Sequence, residues 1–311
     1  MIATVTLNPA IDIRYNLPVF LLDEVNRVSI VDKTAGGKGL NVSRVLSQLG
    51  AKVTCTGFLG GKSGEWIADQ FPKWKLNNQF VPIQGNTRFC LAIESRESHT
   101  EILEQGPLIE ENEREEFLKN FDRILDTNQY IVVSGSLPCG LSSDFYRQLA
   151  AKAKQKGKYL LLDTSNEALE KGIQGNPFLI KPNREELCKL IGKKDATLEE
   201  MILHARAICQ KGIKFVLLSL GKQGALLISS GRVLQANIPT LTSVHQVGSG
   251  DSMLAGFTYA HAKDYSIEEV LKWACACGMS NAASERTGEI DLSQVHYFLN
   301  FIEVKELTGG V

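Results

Sequence analysis

Continuous apolar runs alternate with amphipathic stretches through most of this chain. Tyr130-Ile131-Val132-Val133, Tyr159-Leu160-Leu161-Leu162, Phe178-Leu179-Ile180 and Phe215-Val216-Leu217-Leu218 show no polar alternation, which is how strands buried on both faces of a parallel sheet read. Between them the apolar positions take helical spacing, as at Phe117, Leu118, Phe121, Ile124 and Leu125, and 142–155 predicts a further helix. Each run gives way to polar or small residues at its C-terminal end: Ser134-Gly135-Ser136, Asp163-Thr164-Ser165, Lys181-Pro182-Asn183 and Ser219-Leu220-Gly221. Ligands bind at that edge of open parallel sheets. The pattern therefore predicts an α/β fold with a doubly wound, mostly parallel central sheet, helices on both faces and the site along one edge.

The N-terminal third departs from this rhythm. Residues 2–7 form a short β-rich run stopped by Asn8-Pro9, and residues 12–17 and 25–31 alternate as half-exposed strands do. Gly36-Gly37-Lys38-Gly39 then opens a helix over 40–49, which Gly50 ends before a strand over 52–59. From 79 to 106 the helical period is lost again, with short strands at 88–93 and 100–103. The segments from about 12–34 and 79–106 are expected to form a small β-sheet lid inserted into one domain spanning 1–311. Its edge would offer a place for a second copy to pair as a homodimer.

Composition narrows the function. With 311 residues, 43% hydrophobic and 22% charged, the chain can bury a full core. A net charge of −1 lacks the lysine and arginine excess of a nucleic-acid binder, so phosphate would be bound locally. Seven cysteines are scattered and never spaced C-x-x-C, suggesting neither a disulfide framework nor a zinc site. With no signal-peptide pattern and no apolar run of membrane-spanning length, a cytoplasmic protein with no membrane partner is expected. His99, His204, His261 and His296 show no metal-ligand spacing and read as surface or core residues.

The stretch with most chemistry in it is Val247-Gly248-Ser249-Gly250-Asp251, followed by helical spacing to Ala260. A glycine turn feeding a helix presents backbone N–H groups where the macrodipole favours an anion. Asp251 would then be a base beside an anion hole, which suggests group transfer; alternatively it only caps the helix. Gly36-Gly37-Lys38-Gly39-Leu40-Asn41 suits close approach to a hydroxylated, anionic ligand. Asn183 and Glu186 read as a capping box, or as an amide and a carboxylate able to hold water on Mg²⁺. Two familiar nucleotide motifs fail. Thr56 stands where a P-loop ending in Gly61-Lys62-Ser63 needs its first glycine, and Met253 replaces the third glycine of a dinucleotide fingerprint.

Taken together, Thr6-Leu7-Asn8-Pro9-Ala10-Ile11-Asp12, Gly36-Gly37-Lys38-Gly39-Leu40-Asn41-Val42, Thr87-Arg88, 100–107, Ser134-Gly135-Ser136-Leu137-Pro138, Lys181-Pro182-Asn183 and Gly248-Ser249-Gly250-Asp251 resemble the ribokinase-like (PfkB) sugar kinases. Within them the chain is most similar to the tagatose-6-phosphate kinases and 1-phosphofructokinases, and 100–107 to the former. The resemblance implies a kinase using ATP and Mg²⁺ on a ketohexose monophosphate. Tagatose 6-phosphate is the first expectation and fructose 1-phosphate the alternative. It implies Asp251 as base, with Gly248, Ser249 and Gly250 stabilising the transferring phosphoryl group. Asp12, Gly37 and Asn41 would contact the sugar, and Lys38, Arg88, Ser136 and Arg27 its phosphate. Lys181, Asn183, Ser219, Gly221, Gly224, Gly250 and Asn281 would face the nucleotide, with Asn183 and Glu186 reaching the metal through water. His245 departs from the aspartate or asparagine common in the family at a cation-binding loop, against a potassium requirement. Two other readings stay open, a sugar-phosphate sensor without catalysis and a nucleotide-binding structural partner. An intact Asp251 argues against the first, and Lys38 with Arg88 against the second.

Overall fold

The computed structural model describes residues 1–95, 98–241 and 247–307; His245 lies outside the described residues. In chain order the elements are β1 (Ile2–Thr6), β2 (Ala10–Asn16), β3 (Ile30–Gly36), α1 (Lys38–Gln48), β4 (Val53–Gly60), α2 (Gly61–Ala68), β5 (Asn77–Asn78), β6 (Val81–Ile83), β7 (Arg88–Glu94), β8 (His99–Leu103), α3 (Glu111–Thr127), β9 (Tyr130–Ser134), α4 (Phe145–Gln155), β10 (Tyr159–Asp163), α5 (Asn166–Ile173), β11 (Leu179–Ile180), α6 (Arg184–Leu190), α7 (Leu198–Gln210), β12 (Phe215–Ser219), β13 (Ala225–Ile228), β14 (Val233–Asn237), α8 (Ser249–Ala262), α9 (Ile267–Ala282), α10 (Leu292–Leu299) and β15 (Glu303–Glu306).

The apolar runs pair as their composition requires. β4, β1, β9, β10, β11 and β12 lie side by side and parallel, and β13, β14 and β15 extend the sheet antiparallel. Successive side chains alternate between its two faces. Val132, Leu161, Leu179 and Leu217 pack with Leu40 and Val45 of α1, Phe257 of α8 and Leu271 of α9. Ile131, Leu160, Ile180 and Val216 pack on the other side with Phe117 of α3, Leu149 of α4 and Met201 of α7. The two faces are thus buried under separate helix layers, the doubly wound arrangement expected from the sequence.

A second sheet of four strands runs β3-β2-β7-β8, with β2 and β7 parallel and both outer pairs antiparallel. Two details differ from the sequence reading. Residues 25–29 are not strand: Asn26 bonds the Leu21 N–H and carbonyl with its own amide, so a side chain replaces a strand partner there. Residues 79–87 do not join this sheet. β6 pairs with β4 of the large one, where Val81 and Ile83 bury beside Phe58. All seven cysteines are free thiols, and among the described residues no helix is long and apolar enough to cross a membrane.

α8, whose first turn carries Asp251, is seated on α9 through a glycine. A Cβ at Gly256 would stand 2.5 Å from the Trp273 carbonyl oxygen and 2.9 Å from Cys277 Sγ, so backbone meets backbone with no room for a side chain. Gly256→Ala is expected to destabilise the fold by about 1–3 kcal/mol through overpacking. A urea midpoint equal to that of the parent would show that α8 and α9 can separate without cost.

Candidate active site

A cavity of about 900 Å³ opens between the C-terminal ends of the parallel strands and the second sheet. The polar ends of four adjacent strands reach it along one edge, with Ser136 after β9, Asp163 at the end of β10, Lys181 after β11 and Ser219 at the end of β12. The second sheet adds Asp12 and Arg88, and α1 adds Lys38 and Asn41.

The amino end of α8 closes one side. Gly248 caps it in a left-handed conformation with φ 82°, and an added Cβ would stand 2.5 Å from Thr287 Cγ2, so glycine is required on both counts. Asp251, in the first turn, is 5% exposed. Its Oδ2 accepts a 2.7 Å hydrogen bond from Asn41 Nδ2. Burial pushes its pKa up to about 6, the negative charge of Asp163 adds to the rise, and Lys38, the Asn41 bond and Lys181 oppose it.

Asp163 organises the cations. Its carboxylate stands 3.3 Å from Lys38 Nζ and 3.1 Å from Lys181 Nζ, with both Asp163 and Lys181 almost fully buried. Burial disfavours its ionisation, yet the two ammonium groups outweigh that and hold its carboxyl below the usual range. Lys38 is correspondingly pushed up, chiefly by Asp163. Asp12 lies against Gly36, where an added Cβ would fall 1.9 Å from its Oδ2. Its pKa is also raised to about 6 by burial, against the pull of Arg44 and Arg88. Arg88 is anchored by bonds to the Asn8 carbonyl (3.1 Å) and the Glu104 carbonyl (2.5 Å).

Asn183 and Glu186 form the expected capping box, with Asn183 Oδ1 accepting from Glu186 N at 2.8 Å and Glu186 Oε2 from Asn183 N at 2.9 Å. Both also line the cavity. Five residues singled out in the sequence do not. Arg27 is exposed in the loop between β2 and β3, and Ser249 opens α8 without lining the cavity. Gly221 and Gly224 make the turn between β12 and β13, Gly224 against the Ala236 carbonyl. Asn281 is fully buried and spends its amide on Val247 O (3.0 Å) and Gly288 N (2.7 Å); it shapes the loops around the helix start. The Gly61-Lys62-Ser63 stretch is no phosphate loop, since Lys62 is exposed and pairs with Glu65. Reasoning from sequence missed Asp163, though its polar strand end was noted, and Arg44, which gave no local signal. It also missed the work of Asn8, whose Nδ2 joins Gln105 O (2.9 Å) to Ser136 Oγ (3.2 Å).

A parallel sheet whose strand ends and one helix start enclose a buried acid among fixed cations is the ground plan of a carbohydrate-phosphorylating enzyme. The chain belongs to the pfkB family of carbohydrate kinases, whose family model matches residues 5–293. It is a carbohydrate kinase, and the family implies ATP as the donor. Among solved structures it is similar to a Staphylococcus aureus protein provisionally described as a phosphofructokinase, at 33% identity over 100% of both chains and TM-score 0.85. It is similar to Escherichia coli phosphofructokinase-2 in complex with potassium, at 28% identity over 96% of this chain and 98% of that one, TM-score 0.90. The same enzyme with fructose-6-phosphate, at 27% identity over the same shares, matches at TM-score 0.87. A Thermotoga maritima protein provisionally described as a 1-phosphofructokinase shares the fold, at 22% identity over 99% of each chain and TM-score 0.85.

The raised pKa of Asp251 carries a stability cost of definite sign. Folded, the group binds a proton more tightly than an ordinary carboxyl of pKa 3.8, so folding is opposed above about pH 6 and the cost fades as pH falls toward about 4. Asp251→Asn is therefore expected to be more stable than the parent at pH 8, by an amount of order 2–3 kcal/mol. The gain should vanish near pH 4. A variant less stable than the parent at pH 8 in urea titrations contradicts the assignment.

Proposed function

We propose that the protein transfers the terminal phosphoryl group of ATP to a hydroxymethyl group of a ketohexose monophosphate, with D-tagatose 6-phosphate converted to D-tagatose 1,6-bisphosphate. The observation that carries the kinase chemistry is Asp251, a buried carboxylate with a pKa near 6 in the first turn of α8. At neutral pH it is mostly ionised and still basic enough to take a hydroxyl proton as attack proceeds. The amino end of α8 beside it favours the charge spread over the transferring group. Phosphoryl transfer asks chiefly for positioning and charge stabilisation.

In this reading Lys38 and Arg88, with Ser136 nearby, hold the phosphate already on the sugar. Asp12, Gly37 and Asn41 meet its hydroxyls, and Lys181, Asn183 and Ser219 lie on the ATP side. Glu186 and Asn183 suit Mg²⁺. That ion takes one or two carboxylates with substrate phosphates and keeps much of its water, and Glu186 leaves one carboxylate oxygen outside its capping bond. When bound, the ion would neutralise phosphate charge. The exposed Val19, Leu21, Leu22, Val25, Ile30 and Val31 of the β2–β3 hairpin support a lid that pairs with a second copy, and the cytosol is the proposed compartment.

The choice of sugar rests on the likeness of 100–107 to tagatose-6-phosphate kinases. Fructose 1-phosphate is the second reading, from the likeness of the chain to the 1-phosphofructokinases. A ketohexofuranose carries hydroxymethyl arms on both sides of its ring oxygen, so clamping a phosphate on one arm presents the other to Asp251 in either sugar. Ring hydroxyls must then decide. An unmatched buried hydroxyl costs about 1–3 kcal/mol, so preferences of about ten- to a hundredfold with leakage to analogues are expected. Comparing kcat/KM for tagatose 6-phosphate, fructose 1-phosphate and fructose 6-phosphate tests this. A clear lead for either fructose phosphate sinks the tagatose assignment and leaves the kinase intact.

Asp251→Asn should lower kcat by about a hundred- to ten-thousandfold, with ATP and sugar-phosphate binding retained. Near-normal turnover would remove Asp251 from the chemistry.

A further inference from the structure

Arg44 is buried, 4% exposed, and its charge does more than pull on the Asp12 carboxyl. It stands one turn after Asn41 on α1, and its guanidinium donates three ways: to the Ala35 carbonyl near the end of β3, to the Thr287 carbonyl (2.8 Å) and to Asn41 Oδ1 (2.6 Å). The Trp74 ring covers it at 5.0 Å. Behind it a Cβ at Gly288 would come within 2.7 Å of a guanidinium nitrogen. Asp12, Glu289 and Asp251 are the carboxylates whose charge it feels.

A guanidinium has donors and no acceptor. The Asn41 atom that meets Arg44 must therefore be the amide oxygen, which leaves the amino group for Asp251. Turned over, the same amide would set an oxygen lone pair against the carboxylate. Thr287, the second acceptor, is the residue packed on Gly248 at the start of α8, and Ala35 belongs to the second sheet. One fork thus meets the three pieces that must agree for Asp251 to face a bound sugar. Resting on the reading of Asp251 as the base, we propose that Arg44 is a positioning residue. It fixes the Asn41 amide in the orientation that holds Asp251, and it fastens the end of β3 and the loop beneath Gly248 to that pair.

Arg44→Lys keeps a positive charge but cannot reproduce a planar fork. Its kcat should fall about ten- to a hundredfold, the cost of a misplaced reacting group, by a larger factor than KM for the sugar phosphate rises through the loosened Asn41 amide. The acid limb of kcat/KM should move to higher pH, because the Asn41 donor favours ionised Asp251. A double-mutant cycle with Asn41→Ala separates positioning from general weakening. Once Asn41 is gone, Arg44→Lys should cost little more. Full additivity overturns the proposal, as does an unchanged kcat and pH profile in Arg44→Lys. Thermal unfolding of each variant checks the fold. Should Arg44→Lys fail to fold, Arg44→Gln takes its place, since its amide can still offer a donor to Asn41 but not a planar three-way fork. A lower kcat with the acid limb shifted upward supports the link, and no change in either refutes it. Near-normal turnover by Asp251→Asn would instead remove the base, and this proposal with it, whereas the Arg44 outcomes speak to positioning alone.

Discussion

The site turns on keeping one carboxylate charged where burial would neutralise it. Asp251 sits at the amino end of α8 with almost no solvent contact, and the nearby charge of Asp163 pushes its pKa the same way as burial. What resists is local: one amide bond from Asn41, and the charges of Lys38 and Lys181. Those lysines are themselves held by Asp163. The anion that gathers the cations therefore also makes Asp251 a stronger base. A site with fewer charges would lose either the cations proposed to meet phosphate or the basicity that a proton acceptor needs.

That balance depends on a few close backbone approaches. Gly36 leaves room for the Asp12 carboxylate, Gly248 lets the chain enter α8 against Thr287, and Gly256 brings α8 down on α9. Each contact joins residues distant in sequence, so each glycine serves the assembled structure more than its own turn.

Legibility in the sequence followed how local each cause was. The parallel strands could be read because burial on both faces leaves unbroken apolar runs, and their polar ends marked the binding edge for the same reason. Gly248 to Asp251, Gly36 to Asn41 and the Asn183–Glu186 box were legible as helix starts, since capping and dipole effects act within one turn. The second sheet was harder. Its strands are half-exposed, and nothing in 79–87 says that β6 will leave it to pair with β4. Arg44 was out of reach, because on α1 alone it is one more polar residue. It becomes buried through Thr287 and Gly288, more than 240 residues further along the chain. Asn281 shows the opposite case: a polar residue read as facing ligand here bonds two loops.

The division of labour between the sheets explains why such distant ties are needed. Asp12 and Arg88 come from the small sheet, while Asp251, Lys181 and Ser136 come from helices and strand ends of the large one. In the proposed reading, a sugar phosphate held by the first set must present its hydroxyl to the second within a fraction of an ångström, since misplacing a reacting group by about 1 Å can cost a hundredfold in rate. Asn8 answers part of this demand by tying Gln105 beyond β8 to Ser136 beyond β9. Arg88 answers another part through the Asn8 carbonyl, so the residue assigned to the phosphate is braced by the strand end that β1 supplies. The cavity is thus set by side chains that cross between the sheets as much as by either sheet, and a ligand spanning it would add one more tie between them.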